Sequence, residues 1–337
     1  MARTPDRVCL IAPPFHNGSG WITVPPAGYG GIQWSMANLM DGLLELGVGI
    51  SLVGAPGSLW TDADVEVADA ATGPEIVDWI ARWRPALIHD FANFSCFHDD
   101  IPGGSAYCRT WQLTSSPPGF GNTVFASMAQ MRAIGATDAV AIPLPVNADR
   151  YHPVDRKGDY LLFLGRISAW KGTYEAAALA EFLGMPLVVA GPSWEADYLD
   201  RIVADFGRTV KLVGEVGGQE RNRLLAEARA VVVLSQPVPG PWGQIWCEPG
   251  AAVVSEAAAS GTPVIATDNG CLPSLMPGVG VVVSTGTRFT ELDALALASL
   301  PEPAEVRQTG VNRWGHVAVA RQYLNVYERC AKGERWN

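Results

Sequence analysis

Short apolar runs alternate with helix-patterned segments along almost the whole chain, and few folds accommodate that rhythm. RVCLIAP (7–13) reads as a buried strand ending at two prolines, and IQWSMANLMDGLLELG (32–47) has helical periodicity and a glycine stop. GISLVGAPG (49–57), ALIHDF (86–91), RTWQLTSS (109–116) and DAVAIPLPV (138–146) are further strands, with a helix over 75–85 closed by Pro85. A second set starts with DYLLFLGRI, the helix TYEAAALAEFLG and PLVVAGP, and continues through VKLVGEV, ARAVVVLS, TPVIATD and VGVVVST. Strand and helix in alternation predict parallel sheets covered by helices on both faces. The polar stretch 147–160 reads as an inter-domain linker, and 317–333 as an amphipathic terminal helix.

Two domains are the natural division of 337 residues, with 48% hydrophobic residues enough for two cores. Net charge is −10, which argues against a nucleic-acid partner while leaving room for a small anion held by two or three cations. No run reaches the roughly 18 apolar residues of a membrane span, and the first apolar run is too short for a secretory signal, so a cytoplasmic location is expected. The six cysteines (Cys9, Cys96, Cys108, Cys247, Cys271, Cys330) form no C-x-x-C pair and are expected to be reduced and mostly buried.

In doubly wound sheets ligands bind beyond the carboxyl ends of the strands. GRISAWKG, Gly165 to Gly172, follows the strand LLFL and brings Arg166 and Lys171 to one turn. A guanidinium fork beside an ammonium suits a diphosphate, although two solvated surface cations would read the same way. In EPGAAVVSEAAASGTPVIATD, Gly250, Ala251, Ala252 and Val253 open a helix whose amides no bulky side chain screens from an anion. Glu248 precedes that helix and Glu256 lies about two turns into it, among alanines and valines where a buried carboxylate needs partners. GYGGIQ, with Gly30 and Gly31 before the first long helix, lets backbone approach an anion; an ordinary turn is the equal alternative. It lacks the third glycine of the dinucleotide fingerprint, which disfavours a nicotinamide dehydrogenase.

These motifs, with VKLVGEV and GTPVIATDNG, resemble the retaining glycosyltransferases of family four, most strongly from Tyr160 to Val283. The resemblance implies an α/β GT-B fold, two Rossmann-like doubly wound domains facing across a cleft. Residues 1–152 would be the N-terminal, acceptor-side domain and 153–316 the donor-side domain, with 317–337 crossing back to the first. It implies a nucleoside-diphosphate sugar donor of UDP or dTDP type, with Arg166 and Lys171 on the diphosphate. Amides at Gly30, Gly31, Gly250, Ala251, Ala252 and Val253 would assist. Glu256 would take the ribose, Glu248 a hydroxyl of the donor sugar, and the backbone at Val216 the base. It implies no metal and no other cofactor, and an acceptor that is an oligosaccharide or antibiotic natural product.

The sequence departs from the family pattern in three places. Gly250-Ala251 stand where Phe-Gly is common after Glu-Pro, and Thr114 or Ser115 lies where a histidine is common. The link SQPVPGPWGQIWC (235–247) is long, and its prolines and tryptophans wall the sugar pocket or form a rigid surface loop. His89, with Asp90 at a strand end, borders the cleft or serves the core. Asp62-Ala63-Asp64 fits the D-x-D of the other glycosyltransferase fold only by chance, and His98-Asp99-Asp100 has no further metal ligand at suitable spacing. The rival functions are a nucleotide-sugar epimerase or phosphorylase on the same architecture, and a non-catalytic nucleotide-sugar-binding protein.

Overall fold

The computed structural model describes residues 7–18, 20–92, 97, 101, 104–117, 121–241 and 243–336. The chain divides into two compact units, Met1–Pro145 with His316–Asn337, and Val146–Gly315. In the first, β1 (Arg7–Ile11), β2 (Gly49–Gly54), β3 (Glu66–Asp69), β4 (Leu87–Asp90), β5 (Ala106–Trp111), β6 (Thr123–Phe125) and β7 (Val140–Ala141) form one sheet. Its order is β3-β2-β1-β4-β5-β6-β7 and every pairing is parallel. The winding reverses between β1 and β4, the position where such sheets open toward ligands.

The apolar runs become strands because helices cover both faces. Val8 and Leu10 pack to one side with Leu52, Met36, Leu39 and Leu43. Cys9, Ile11 and Val53 pack to the other with Ile76 and Ile80. The helices concerned are α1 (Gly31–Glu45) and α2 (Gly73–Trp83), the latter capped by the Thr72 side chain, which accepts from Glu75 N; the short α3 (Met128–Ile134) follows β6. The last helix, α11 (His316–Ala331), belongs to this unit and lies on α1 at Gly42, where a Cβ would fall 2.4 Å from His316 O.

The second unit holds β8 (Leu161–Leu164), β9 (Leu187–Ala190), β10 (Val210–Gly214), β11 (Ala230–Val233), β12 (Val264–Thr267) and β13 (Gly280–Val283). Their order is β10-β9-β8-β11-β12-β13, again parallel, with the reversal between β8 and β11. The unit's α-helices among the described residues are α4 (Thr173–Leu183), α5 (Ala196–Phe206), α6 (Gly218–Glu227), α7 (Ala252–Ala259), α8 (Leu272–Leu275), α9 (Glu291–Ala298) and α10 (Pro303–Trp314). The stretch 147–160 is part of this unit rather than a free connection. Tyr151 is buried, and Lys157 Nζ donates to Ala226 O at 2.6 Å and Thr262 Oγ1 at 2.7 Å. The units meet in sequence at 145/146 and 315/316, where the sequence suggested 152/153 and 316/317. No helix among the described residues is long and apolar enough to cross a membrane.

Candidate active site

Arg166 leaves the end of β8 beside the end of β9. The two strand ends stay paired past the sheet, Gly165 N donating to Ala190 O at 3.0 Å and Ile167 N to Pro192 O at 2.9 Å. Gly191 permits this approach: its φ is +148°, and a Cβ there would fall 1.9 Å from Gly165 O. The Arg166 guanidinium carbon stands 3.7 Å from the Trp194 ring centre and 5.9 Å from that of Trp170. Lys171 ends the short 3-10 turn Ala169–Lys171 and reaches across to Glu248. Its Nζ donates to Oε1 at 2.9 Å and Oε2 at 2.8 Å. The lysine side chain is 28% exposed and the carboxylate 5%, so of the two the cation is the one that solvent reaches.

Glu248 is fixed from behind as well. Trp246 Nε1 donates to its Oε2 at 3.0 Å, and the same indole faces Lys171 Nζ, 4.4 Å from its ring centre. Trp246 anchors the long link, which is a hairpin: Trp246 N donates to Val238 O and Gly240 N to Gln244 O, both at 2.8 Å. Trp242, the other tryptophan of that link, lies outside the described residues. The TDNG turn packs directly on the Glu248 backbone: at Gly270 (φ +62°) a Cβ would fall 2.4 Å from Glu248 N.

Three residues after Glu248, Ala251 takes a left-handed φ of 46°, a strained value for a residue with a Cβ, and caps the start of α7. Gly250, Ala252 and Val253 are half-buried around this N-terminus. Glu256, deeper in α7, is buried and accepts from Arg221 Nη2 of α6 at 2.5 Å. Burial opposes the Arg221 charge, but Glu256 and the Tyr151 hydroxyl outweigh it and hold the guanidinium firmly protonated. Glu256 is thus part of a buried Tyr151–Arg221–Glu256 group as well as the α7 carboxylate singled out by sequence. Val216 is half-buried in the connection from β10 to α6.

In the first unit, Gly30 caps α1 with φ 150°, where a Cβ would fall 2.7 Å from Ile22 Cγ2. Gly31 has nothing within 4 Å of its Cβ position, so the protein's own packing does not require a glycine there. The cleft role suggested for His89 is not supported. The residue is fully buried, with Nδ1 2.8 Å from Tyr327 Oη and Nε2 2.8 Å from Thr110 Oγ1. Burial pushes the imidazole down to about 3, which keeps it neutral: it is a core histidine that ties α11 to the sheet. Thr114 Oγ1, beyond β5, is buried with no hydrogen-bond partner among the described residues. Asp62 Oδ1 accepts from Asp64 N at 2.9 Å in an exposed turn, and His98-Asp99-Asp100 lie outside the described residues, as does Cys96. The other five cysteines are free thiols, four of them buried.

Residues 158–299 match the family model described as glycosyl transferases group 1. A curated relative, the glycogen synthase of Mycobacterium tuberculosis (strain H37Rv), is 28% identical over 217 residues, 59% of this chain. The match spans about half (48%) of that relative's own length. The crystal structure of AviGT4, a glycosyltransferase involved in avilamycin A biosynthesis, is 45% identical, with a TM-score of 0.93 over 98% of this chain and 99% of that one. The chain belongs to the group 1 glycosyltransferases. Its GT-B fold is shared with the sucrose-phosphate synthase (tll1590) of Thermosynechococcus elongatus, at 18% identity and a TM-score of 0.70, covering 97% and 100% of the two chains.

Within this glycosyltransferase the structure joins Lys171 to Glu248 directly and surrounds Arg166 with indoles. Arg221, Tyr151 and Trp194 escape sequence reasoning, and Trp246 reads there only as part of the link's wall or surface loop, not as the donor to Glu248. The one available signal was Glu256 itself, a carboxylate in an alanine helix that demanded a cation. Nothing in GQERNRLLAE distinguishes Arg221 from Arg223, which is half-exposed and pairs with Glu220 and Glu227.

Proposed function

We propose that this glycosyltransferase moves a sugar from a nucleoside-diphosphate sugar of UDP or dTDP type to a carbohydrate or natural-product acceptor, with retention and without a metal ion. The observation that supports the proposal is the Lys171–Glu248 pair, which ties the turn after β8 that carries Arg166 and Lys171 to the segment that opens α7. Lys171 Nζ has three protons, and two bonds to Glu248 leave one for a phosphate oxygen. The first α7 amides have no partner within their helix and add two or three donors. These groups are aimed where charge grows as the anomeric carbon–oxygen bond to the diphosphate breaks.

In this mechanism the acceptor hydroxyl attacks on the face the diphosphate leaves, forming the new carbon–oxygen bond. Its proton passes to a diphosphate oxygen, so no side-chain base is required. Glu248, paired with Lys171 and oriented by Trp246, accepts a hydrogen bond from a donor-sugar hydroxyl. Glu256 orients the ribose through the oxygen that Arg221 does not take, and the backbone near Val216 frames the base. The first unit takes the acceptor. Likeness to AviGT4 favours an oligosaccharide of an antibiotic pathway as that acceptor.

Purified protein incubated with UDP- and dTDP-sugars and a panel of oligosaccharide acceptors tests this, with released nucleoside diphosphate and the product's anomeric configuration as readouts. Retention in a metal-free buffer is the expected result. Inverted product, dependence on added divalent metal, or donor interconversion without acceptor would each refute it.

A further inference from the structure

Trp194 is the least explained large side chain near the strand ends. It is 45% exposed and takes no part in the hydrophobic core of its unit. Yet the fold places it with care. Beyond β8 and β9 the chain keeps its parallel register, with Ile167 opposite Ser193; Arg166 precedes that bridge on one segment and Trp194 follows it on the other, so the two are a diagonal pair across it. That register depends on Gly191, the only residue type that fits against Gly165 O at this distance. The outcome is an indole 3.7 Å from the guanidinium carbon of Arg166, within the range of a strong cation–π contact.

A guanidinium offers two kinds of surface. Its flat face attracts an aromatic ring, while its N–H donors point outward in the plane and bind oxyanions. Trp194 occupies the face and leaves the donor edge to other partners. It also replaces water on that face and limits the rotamers of a long side chain, so less freedom is lost when the edge engages an anion. Lys171 repeats the arrangement at smaller scale over Trp246, at 4.4 Å.

We infer that Trp194 is a positioning residue for the donor diphosphate, acting through Arg166: the indole face orients the guanidinium so that its edge meets the phosphate oxygens. The inference rests on the proposed donor site in the second unit. It assigns Trp194 no contact with the nucleobase.

The test is a double-mutant cycle on the full chain, read by calorimetric binding of uridine diphosphate and thymidine diphosphate, with uridine and thymidine as diphosphate-free controls. Trp194→Leu should weaken diphosphate binding about five- to tenfold, the span expected for a partly exposed cation–π pair. Trp194→Phe keeps an aromatic face and should restore affinity to within about threefold. In an Arg166→Ala background Trp194→Leu should have no further effect, because its route is gone. Equal loss with and without Arg166, unchanged affinity in Trp194→Leu, or the same loss for the free nucleosides would overturn the inference, the last by making the indole a base platform. Because Trp194 is half-exposed, thermal unfolding of the variants should match wild type. Absence of diphosphate binding in the wild-type protein would instead remove the donor site and this inference with it, and is distinguishable because no variant is needed to see it.

Discussion

At the scale of single residues, the two carboxylates of the E-x7-E pair differ in what they can do. Glu248 is held by a lysine that solvent reaches, whereas Glu256 is held by an arginine that solvent does not. Removing one partner of a buried ion pair leaves an uncompensated charge, so Arg221→Leu should destabilise the protein by about 3–5 kcal/mol. Urea unfolding measures this, and a loss below about 1 kcal/mol would mean that Tyr151 alone satisfies Glu256. Lys171→Ala leaves Glu248, as buried as Glu256, with the Trp246 indole as its donor; it should abolish most turnover and lower the unfolding midpoint, though less than Arg221→Leu, because solvent already reaches the lysine side of the pair. Arg166→Ala should likewise abolish most turnover. Near-normal rates in either variant, with the fold intact by circular dichroism, would remove that residue from the site.

At the scale of elements, α11 is held to the first sheet by side chains rather than by sequence proximity. Gly42 lets α11 lie on α1, and Gly42→Ala should force the helices apart at a cost of about 1–3 kcal/mol. Faster amide exchange confined to α11 and α1 would locate the damage; exchange unchanged from wild type would show that the contact yields cheaply. The His89–Tyr327 and Thr110–Tyr323 contacts add a pH dependence. The unfolded chain takes up the His89 proton near pH 6.5, but the folded protein only near 3. Stability is therefore lost through this group as pH falls from about 6.5 toward 3. Its neighbour Asp90 works the other way. Burial pushes that carboxyl up to about 7, against the Tyr107 and Ala92 hydrogen bonds, so the folded protein holds its proton first and gains stability as pH falls from about 7 to 4. The His89 contribution is isolated by comparing wild type with His89→Gln: between pH 6.5 and 4 the variant should lose less stability. Parallel curves would show that His89 is charged in the folded protein.

At the scale of the whole molecule, the sheets were legible where apolar runs are long and unbroken, and not where short strands borrow their order from neighbours. EVAD and TVF become β3 and β6 only because β2 and β5 offer them edges, and neither has enough residues to show a period. DAVAIPLPV yields just Val140–Ala141, since Pro143 and Pro145 cannot donate to a ladder. The cations and carboxylates of the site were visible because they follow strands in one motif each. Their partners were not: Arg221 comes from α6 and Trp194 from the segment after β9, and Trp246, two residues from Glu248 in the chain, turns back onto it where the link folds as a hairpin. His89 was ambiguous for the same reason: its two partners lie 21 and 238 residues away in the chain.

The central claim is that the second unit grips the diphosphate of a sugar donor through Arg166, Lys171 and the start of α7. Calorimetric titration with nucleosides, nucleoside monophosphates and nucleoside diphosphates tests it most directly, in wild type and in Lys171→Ala. Wild type should bind a nucleoside diphosphate at least about tenfold more tightly than the matching monophosphate, and Lys171→Ala should erase most of that difference. Equal affinity for the two nucleotides in wild type, or a preference for diphosphate that survives in Lys171→Ala, would contradict it.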